Sequence, residues 1–304
     1  MGKTKETEEI YLTRAKHLVD RYFRETGCDW QADPTGVCVW LAAQRPEWSR
    51  ATWRNYKASM IFFMTQNGPK EAVDYLESQD SSPCQKKTRN TSGRKMRHLP
   101  DKELAEILAA LQSTRGQYNT LLGLWLSANR LLGLRPIEWD TAELDLVEKK
   151  LTVRNAKNTN GRALGEKRIL LLQDLSSQNM ELVAFFWKAL QEAKAEKEFS
   201  EIYQSCRMRL FNVARDLWPG RTRFPTLYSS RHQLSADLKA AGCDTREIAA
   251  IFGHATDETA ESHYGMKTHG KSRGGRVTAP QEKIDEVREK KTYFTSRDRP
   301  KEKE

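Results

Sequence analysis

The chain has 304 residues, 38% of them hydrophobic and 30% charged, and its 51 Lys and Arg against 41 Asp and Glu give a formal net charge of +10. This composition is typical of a folded protein of about two domains. It excludes a membrane-spanning protein, because no apolar run approaches the roughly 18 residues that a spanning helix needs. The basic balance favours a nucleic-acid partner. The start, MGKTKETEEI, has no signal-peptide core, so we expect a cytoplasmic protein.

The first 80 residues predict an all-α domain. Apolar residues recur at helical spacing over 6–26 and 37–43, Ser49 can cap a helix that runs to residue 64, and another helix follows over 70–76. Basic residues of the third helix are candidates for phosphate contacts, with a solvated helix face as an equal alternative: Arg50, Arg54 and Lys57.

A basic linker is predicted over residues 81–98, SSPCQKKTRNTSGRKMRH, which have turn formers, no apolar periodicity and no acidic residue. Such a segment is typical of an unstructured tether, and its charges could also neutralise phosphates. Its basic residues are candidates for nucleic-acid contacts: Lys86, Lys87, Arg89, Arg94, Lys95 and Arg97.

The second predicted domain, 99–277, mixes helices with a few short strands. Helical patterns follow Asp101 and cover 116–132, where Gly133 ends the pattern. Short alternating segments over 143–147, 151–154 and 168–172 predict a small antiparallel sheet. Helical patterns then resume over 179–195 and 201–217. We therefore expect a mainly α fold with a small antiparallel β-sheet, followed by a charged tail, 278–304, that is either a docking helix or disordered.

Polar side chains stand at the edges of three predicted helices in the stretch YSSRHQLSADLKAAGCDTREIAAIFGHATDETAESHYG, residues 228–265. Gly242 ends the first helix, and Asp244 can cap the second. Gly253 ends the second helix, so His254 should lie on a turn between helices. Thr256 and Asp257 can cap a third helix, which places Tyr264 at its far end.

These residues resemble a known family. R-H, G-H and H-Y are similar to the carboxyl-terminal half of the tyrosine recombinase (phage integrase) family, written H-x-x-R-H, then L-G-H, then Y. Upstream, LLGLRPIEW at 131–139 looks like the family's G-L-R-x-x-E box, and Lys157 lies in a predicted hairpin turn where the family keeps its lysine. All five boxes occur in order between about residue 99 and residue 276. The chain departs from the pattern at Tyr228, where the family has histidine, and in a gap from His254 to Tyr264 that is one residue longer than usual.

The resemblance implies a site-specific DNA recombinase or integrase that cuts and rejoins strands through a covalent 3′-phosphotyrosine intermediate, serving a mobile genetic element. Tyr264 would be the nucleophile, Lys157 the general acid, and His254 a hydrogen-bond donor to the phosphate, while Tyr228 would help to position it. The family's two arginines would bind the non-bridging oxygens. The residues that match the catalytic positions are Arg135, Lys157, Tyr228, Arg231, His254 and Tyr264.

The resemblance also implies binding partners, an oligomeric state and a cellular location. We expect the partner to be double-stranded DNA that carries a recombination site. The protein should form a homotetramer on DNA and be a monomer or weak oligomer alone, and an accessory DNA-bending protein could take part in the complex. We expect it in the bacterial cytoplasm, associated with the nucleoid when it is bound to DNA. The amino-terminal domain would match the family's DNA-binding "core-binding" domain. Neither a metal nor another cofactor is implied. Two alternatives remain: a catalytically impaired DNA-binding protein derived from a recombinase, and a topoisomerase of the type IB kind.

The spacing of the cysteines and histidines does not indicate a metal site. The five cysteines are scattered without a C-x-x-C pair, which predicts reduced thiols rather than a disulfide framework or a zinc site. His254, His263 and His269 have no cysteine or carboxylate at a ligand spacing. Arg135 lies between apolar LLGL and PIEW, so we expect it to be shielded from water and to need an anion.

Overall fold

The computed structural model describes residues 5–85, 96–156, 163–257, 265–272 and 274–289. The chain divides into two compact units, Met1–Thr91 and Ser92–Glu304, and each is described by itself. In the described residues, no helix is both long enough and apolar enough to span a bilayer. All five cysteines are free thiols.

The first unit is a helical domain whose helix starts follow from local capping. The Asp33 carboxylate accepts from the main chain of Gly36, and the Ser49 hydroxyl accepts from that of Thr52. Trp53, at 2% exposure, lies in the core that these helices share. The four helices are α1 Lys5–Thr26, α2 Pro34–Ala43, α3 Arg50–Asn67 and α4 Lys70–Ser78.

The second unit combines helices with one small sheet, so the predicted mainly α fold class is confirmed. Its helices are α5 Asp101–Ser113, α6 Asn119–Leu132, α7 Ser177–Glu196, α8 Phe199–Leu217, α9 Ser229–Ala240, α10 Thr245–Phe252 and α11 Gln281–Asp285. The three strands are β1 Glu143–Asp145, β2 Lys150–Arg154 and β3 Lys167–Leu171, which pair antiparallel in the order β1-β2-β3.

Helix α6 is the central element of the second unit. Leu122, Trp125 and Leu126 are fully buried on it, and α7 and α9 pack against it. Gly133 ends the helix in the left-handed conformation at φ 65°, which favours glycine because a Cβ is strained there. The chain therefore leaves α6 sharply, and Arg135 follows two residues later.

The segment 274–289, which spans the predicted start of the tail, packs against its own unit. Thr278 pairs with Leu171 of β3 through two main-chain hydrogen bonds, and Arg288 forms a parallel bridge with Thr256. Val277 and Val287 are buried. This part of the tail thus extends the sheet edge and covers α10.

Candidate functional site

Arg135 is held by the turn that follows α6. Pro136 begins a short 3-10 helix, Pro136–Asp140, whose third residue is Glu138. The main-chain N–H of Arg135 donates to Glu138 Oε2 at 2.7 Å, and its Nη1 donates to Glu138 Oε1 at 2.5 Å. The spacing R-x-x-E therefore closes a local ring and directs the guanidinium into the protein. The anion that the sequence led us to expect for Arg135 is an internal carboxylate.

Glu138 is the centre of a buried charged group. Arg168 donates to both of its oxygens, from Nη2 at 2.7 Å and from Nη1 at 3.2 Å, and Arg231 Nη1 lies 3.7 Å from Oε2. We call Arg135, Arg168 and Arg231 around Glu138 the arginine cluster. Burial alone would raise the pKa of Glu138, but the charges of Arg168, Arg231 and Arg135 hold it well below its usual range. Glu138 is therefore a carboxylate at neutral pH.

Arg231 stands in the first turn of α9 with no exposed surface. Its Nη1 donates to the carbonyl of Gly133 at 2.7 Å, and its Nη2 donates to that of Phe252 at 2.9 Å. Its guanidinium also lies over the Phe252 ring, 4.4 Å from the centroid. These carbonyls belong to the ends of α6 and α10, where the helix dipole favours a cation. Two helix termini therefore fix this buried charge.

His254 follows the left-handed Gly253 that ends α10, and it is 3% exposed. Its Nε2 lies 3.4 Å from Arg231 Nη2. Because a guanidinium only donates, this contact requires an unprotonated Nε2 and places the ring proton on Nδ1. Burial, and then the charges of Arg231, Arg135 and Arg168, lower the pKa of His254 to about 2, against the opposite effect of Glu138. The imidazole is therefore neutral at physiological pH.

This lowered pKa predicts acid sensitivity. Below about pH 6.5, His254 is protonated in the unfolded chain and neutral in the folded chain. The free energy of unfolding therefore decreases as the pH is lowered. Between pH 7.5 and pH 5 this residue should account for a loss of about 2 kcal/mol in the free energy of unfolding. Urea unfolding of His254→Asn should show a pH dependence flatter by that amount. His17→Asn, on the exposed face of α1, is the control, and an unchanged slope in His254→Asn would contradict the prediction.

Lys157 lies outside the described residues, but the hairpin that carries it starts at the arginine cluster. The main-chain N–H of Ala156, the preceding residue, lies 3.4 Å from Glu138 Oε1. On the returning side, Ala163 forms an antiparallel bridge with His254. On the two sides of Lys157, the described chain therefore contacts Glu138 of the arginine cluster and His254 of the predicted site.

Tyr264 and the predicted third helix also lie outside the described residues. The next residue, Gly265, packs directly against α9, since a Cβ there would collide with the carbonyl oxygen of His232 and lie 3.0 Å from the Ala236 methyl group. The chain just beyond Tyr264 is therefore held beside the residue that follows Arg231.

Tyr228 lies at the N-cap position of α9 and is half-buried. Its ring meets the edge of the His232 ring, with the centroids 5.2 Å apart. Burial, followed by the charges of Arg97 and Arg231, lowers the pKa of His232 to about 4. A neutral imidazole therefore adjoins the tyrosine that occupies the family's histidine position.

The predicted nucleic-acid contacts divide into three groups. Arg50, Arg54 and Arg97 are exposed. Lys57, a candidate for a phosphate contact, donates from Nζ to the carbonyls of Glu77 at 3.0 Å and Gln79 at 2.7 Å and so caps the end of α4. The remaining candidates lie outside the described residues: Lys86, Lys87, Arg89, Arg94 and Lys95.

Helix α1 has a basic face that the sequence analysis did not predict. Its side chains, together with Tyr56, line a surface cavity of about 670 Å³: Arg14, His17, Arg21 and Arg24. Their spacing of three, four and three residues was the available signal, because it places them on one helix face.

Glu138, Asn155 and Arg168 were also missed as site residues. An arginine in the otherwise apolar run RILLL was the signal for Arg168, because only a paired cation is buried in such a strand. It lies opposite Val153 in the sheet, is 2% exposed, and donates to the Asn155 side chain.

Comparison with known proteins rests on structure alone, because no protein-family model and no curated protein sequence matches the chain. A lambda integrase tetramer bound to a Holliday junction is 16% identical and matches with a TM-score of 0.54, over 90% of this chain and 74% of that one. A lambda integrase dimer bound to a COC' core site is 14% identical, with a TM-score of 0.50 over 86% and 71%. The resemblance predicted from the sequence motifs is thus confirmed at the level of architecture, and the chain has the fold of the tyrosine recombinases.

Proposed function

We propose that the protein is a site-specific DNA recombinase that cuts and rejoins strands through a covalent 3′-phosphotyrosine intermediate. The observation that carries this proposal is the arginine cluster. Three buried guanidiniums share one carboxylate, with a neutral His254 beside them. This excess of positive charge suits an additional anion, and a guanidinium matches phosphate oxygens in two-point contacts.

In the proposed reaction, the Tyr264 phenolate attacks a backbone phosphorus while the bond to the 5′-oxygen breaks. Lys157 protonates the leaving oxygen, which becomes a free 5′-hydroxyl, and the phosphate stays linked to the tyrosine. Arg135 and Arg231 stabilise the charge that develops on the non-bridging oxygens. One phosphodiester replaces another, so the energy of the bond is conserved for resealing.

The cluster is closed to solvent in the free protein. Arg135 is 7% exposed, and Arg231 and His254 are buried even more completely. A phosphate therefore has little exposed surface of these groups to contact. We therefore propose that binding of DNA opens the site, which would keep the nucleophile inactive away from DNA.

Surfaces of the first unit support double-stranded DNA as the partner. Arg50 and Arg54 are exposed at the start of α3, and Arg24 is exposed on the basic face of α1, where Arg21 pairs with Glu25 at 2.7 Å. The remaining proposals are a homotetramer on paired sites, a role in a mobile genetic element, and a nucleoid-associated location in the cytoplasm. An accessory DNA-bending protein completes this proposed assembly.

Covalent trapping tests the proposal. Duplexes that tile the DNA flanking the gene, each with a nick that lets the cleaved fragment escape, are incubated with the protein and analysed under denaturing conditions. We expect an adduct that maps to Tyr264 and disappears in Tyr264→Phe, while the control Tyr203→Phe, on α8, retains it.

Three other results would argue against the proposal. DNA binding without an adduct favours the impaired DNA-binding alternative. Relaxation of supercoiled DNA by a monomer, without strand exchange, favours a topoisomerase. An adduct that survives Tyr264→Phe refutes the assigned nucleophile.

A further inference from the structure

Residues 265–271 lie directly on the backbone of α9, and we call them the post-tyrosine segment because they follow Tyr264. Gly265 contacts the first half of the helix, at His232. A Cβ on Gly270 would collide with the Ala236 carbonyl and lie 2.9 Å from the Ala240 methyl group. No side chain separates the two backbones at these points, so a movement of the segment requires a change in its contacts with α9.

Residues 96–101, which we call the junction, lie against the same helix and overlap the carboxyl end of the basic linker, 81–98. Met96 donates its N–H to Phe224 and accepts from the Ser229 hydroxyl at 2.8 Å. The His98 ring stacks on the His269 ring of the post-tyrosine segment, with centroids 4.6 Å apart and planes at 22°. The junction and the post-tyrosine segment are therefore in direct contact.

One buried side chain, Gln233 of α9, connects these two segments. Its Oε1 accepts from the main-chain N–H of Leu99 at 3.0 Å. Its Nε2 donates to the main-chain carbonyl of His269 at 2.7 Å and to Asp237 Oδ1 at 2.9 Å. Both amide hydrogens are used, so the side chain is fixed in one orientation.

Asp237, one turn later, repeats the connection. Its Oδ1 accepts from the main-chain N–H of Lys271 at 3.0 Å, and its Oδ2 accepts from Arg130 at 3.3 Å. Arg130 in turn donates to the Leu99 carbonyl and to Asp101. Because such buried polar groups are costly to leave unsatisfied, the two segments should hold their positions together.

We propose that Gln233 is a positioning residue that couples the junction to the post-tyrosine segment, so that DNA held by the basic linker fixes the place of Tyr264. This inference rests on the proposed function, which makes Tyr264 the nucleophile and the linker a DNA contact. Met96 lies near the carboxyl end of the linker, and Gly265 directly follows Tyr264. Engagement of the linker at one end of this path therefore acts on the chain next to the nucleophile at the other.

The test compares Gln233→Met, which keeps the length and loses all three hydrogen bonds, with Gln281→Met on the exposed face of α11. Hydrogen exchange should accelerate about tenfold in both 96–101 and 265–272 in Gln233→Met alone. Adduct formation at saturating DNA should slow by at least about tenfold, with DNA affinity within about threefold of wild type. If Gln233 only stabilised the fold, its substitution would not slow adduct formation while leaving the DNA affinity nearly unchanged.

A linker variant makes the test specific to coupling. Replacing Lys86 and Lys87 with alanine should slow adduct formation at saturating DNA in the wild-type background and should add no further slowing in Gln233→Met. If Gln233→Met fails to fold, His269→Ala, which removes only the exposed stacked ring, should give the same pattern with a smaller effect.

Two results would overturn the inference: faster exchange in only one of the two segments, or an unchanged rate of adduct formation in Gln233→Met. If the wild-type protein forms no adduct, the proposed function is wrong. The exchange measurement still decides in that case whether Gln233 links the two segments.

Discussion

Glu138→Gln is expected to lower the free energy of unfolding by about 3–5 kcal/mol, because it removes the carboxylate from a group of buried guanidiniums. The substitution keeps the size of the side chain and one carbonyl oxygen. Its new amide N–H₂, however, replaces an oxygen that accepts from Arg135 or Arg168, so a buried guanidinium donor loses its acceptor and faces another donor. Denaturant unfolding at neutral pH measures the loss.

Glu166→Gln is the matched control. Glu166 also pairs with an arginine, Arg154, at 3.4 Å, but both side chains are more than 60% exposed. Exposed pairs contribute about 0–1 kcal/mol, so this change should have little effect. Phosphate should stabilise Glu138→Gln more than the wild-type protein, because the cluster then lacks its internal anion. Equal stability of the two variants would show that charge does not hold the cluster together.

Gly133→Ala is expected to lower the free energy of unfolding by about 2–4 kcal/mol, through two separate costs. The residue has φ 65°, which is strained for alanine, and the new methyl group would lie 2.6 Å from Leu234 Cδ2 and 2.9 Å from the Phe252 ring. Its carbonyl also accepts from Arg231, so any shift of the turn moves a partner of that guanidinium.

Gly242→Ala separates these two costs. Gly242 follows α9 at φ 79°, but a Cβ there meets nothing within 4 Å. Only the strain of the left-handed conformation remains, and the loss should be about 1 kcal/mol. Thermal and urea unfolding of both variants give the comparison. Similar losses at the two positions would mean that the turn after α6 relaxes without disturbing Leu234 and Phe252.

Local signals in the sequence predicted most of the fold. Ser49 and Asp244 cap the helices that they were expected to cap, and Gly133, Gly242 and Gly253 adopt the left-handed conformation at helix ends. These features depend on neighbours within about four residues, so the sequence carries them directly.

The partners of the site residues could not be predicted in the same way. Arg135 was expected to need an anion, yet Glu138 also binds Arg168, which lies 30 residues away, and contacts Arg231. The capping contact of Lys57 was equally hidden, because the end of α4 that it caps lies 20 residues further along the chain. Such pairs depend on how elements pack, and spacing along the chain does not determine that.

The placement of Arg231 at the ends of two helices has a consequence for the evolution of such proteins. Its guanidinium joins the last turns of α6 and α10 to Glu138, so the fold needs this residue whether or not DNA is cut. Under the proposed function, a descendant that no longer cleaved DNA would not need Tyr264 as a nucleophile and would still be selected to keep this arginine. Retention of the arginine among relatives would therefore not by itself indicate strand cleavage, whereas retention of the tyrosine would.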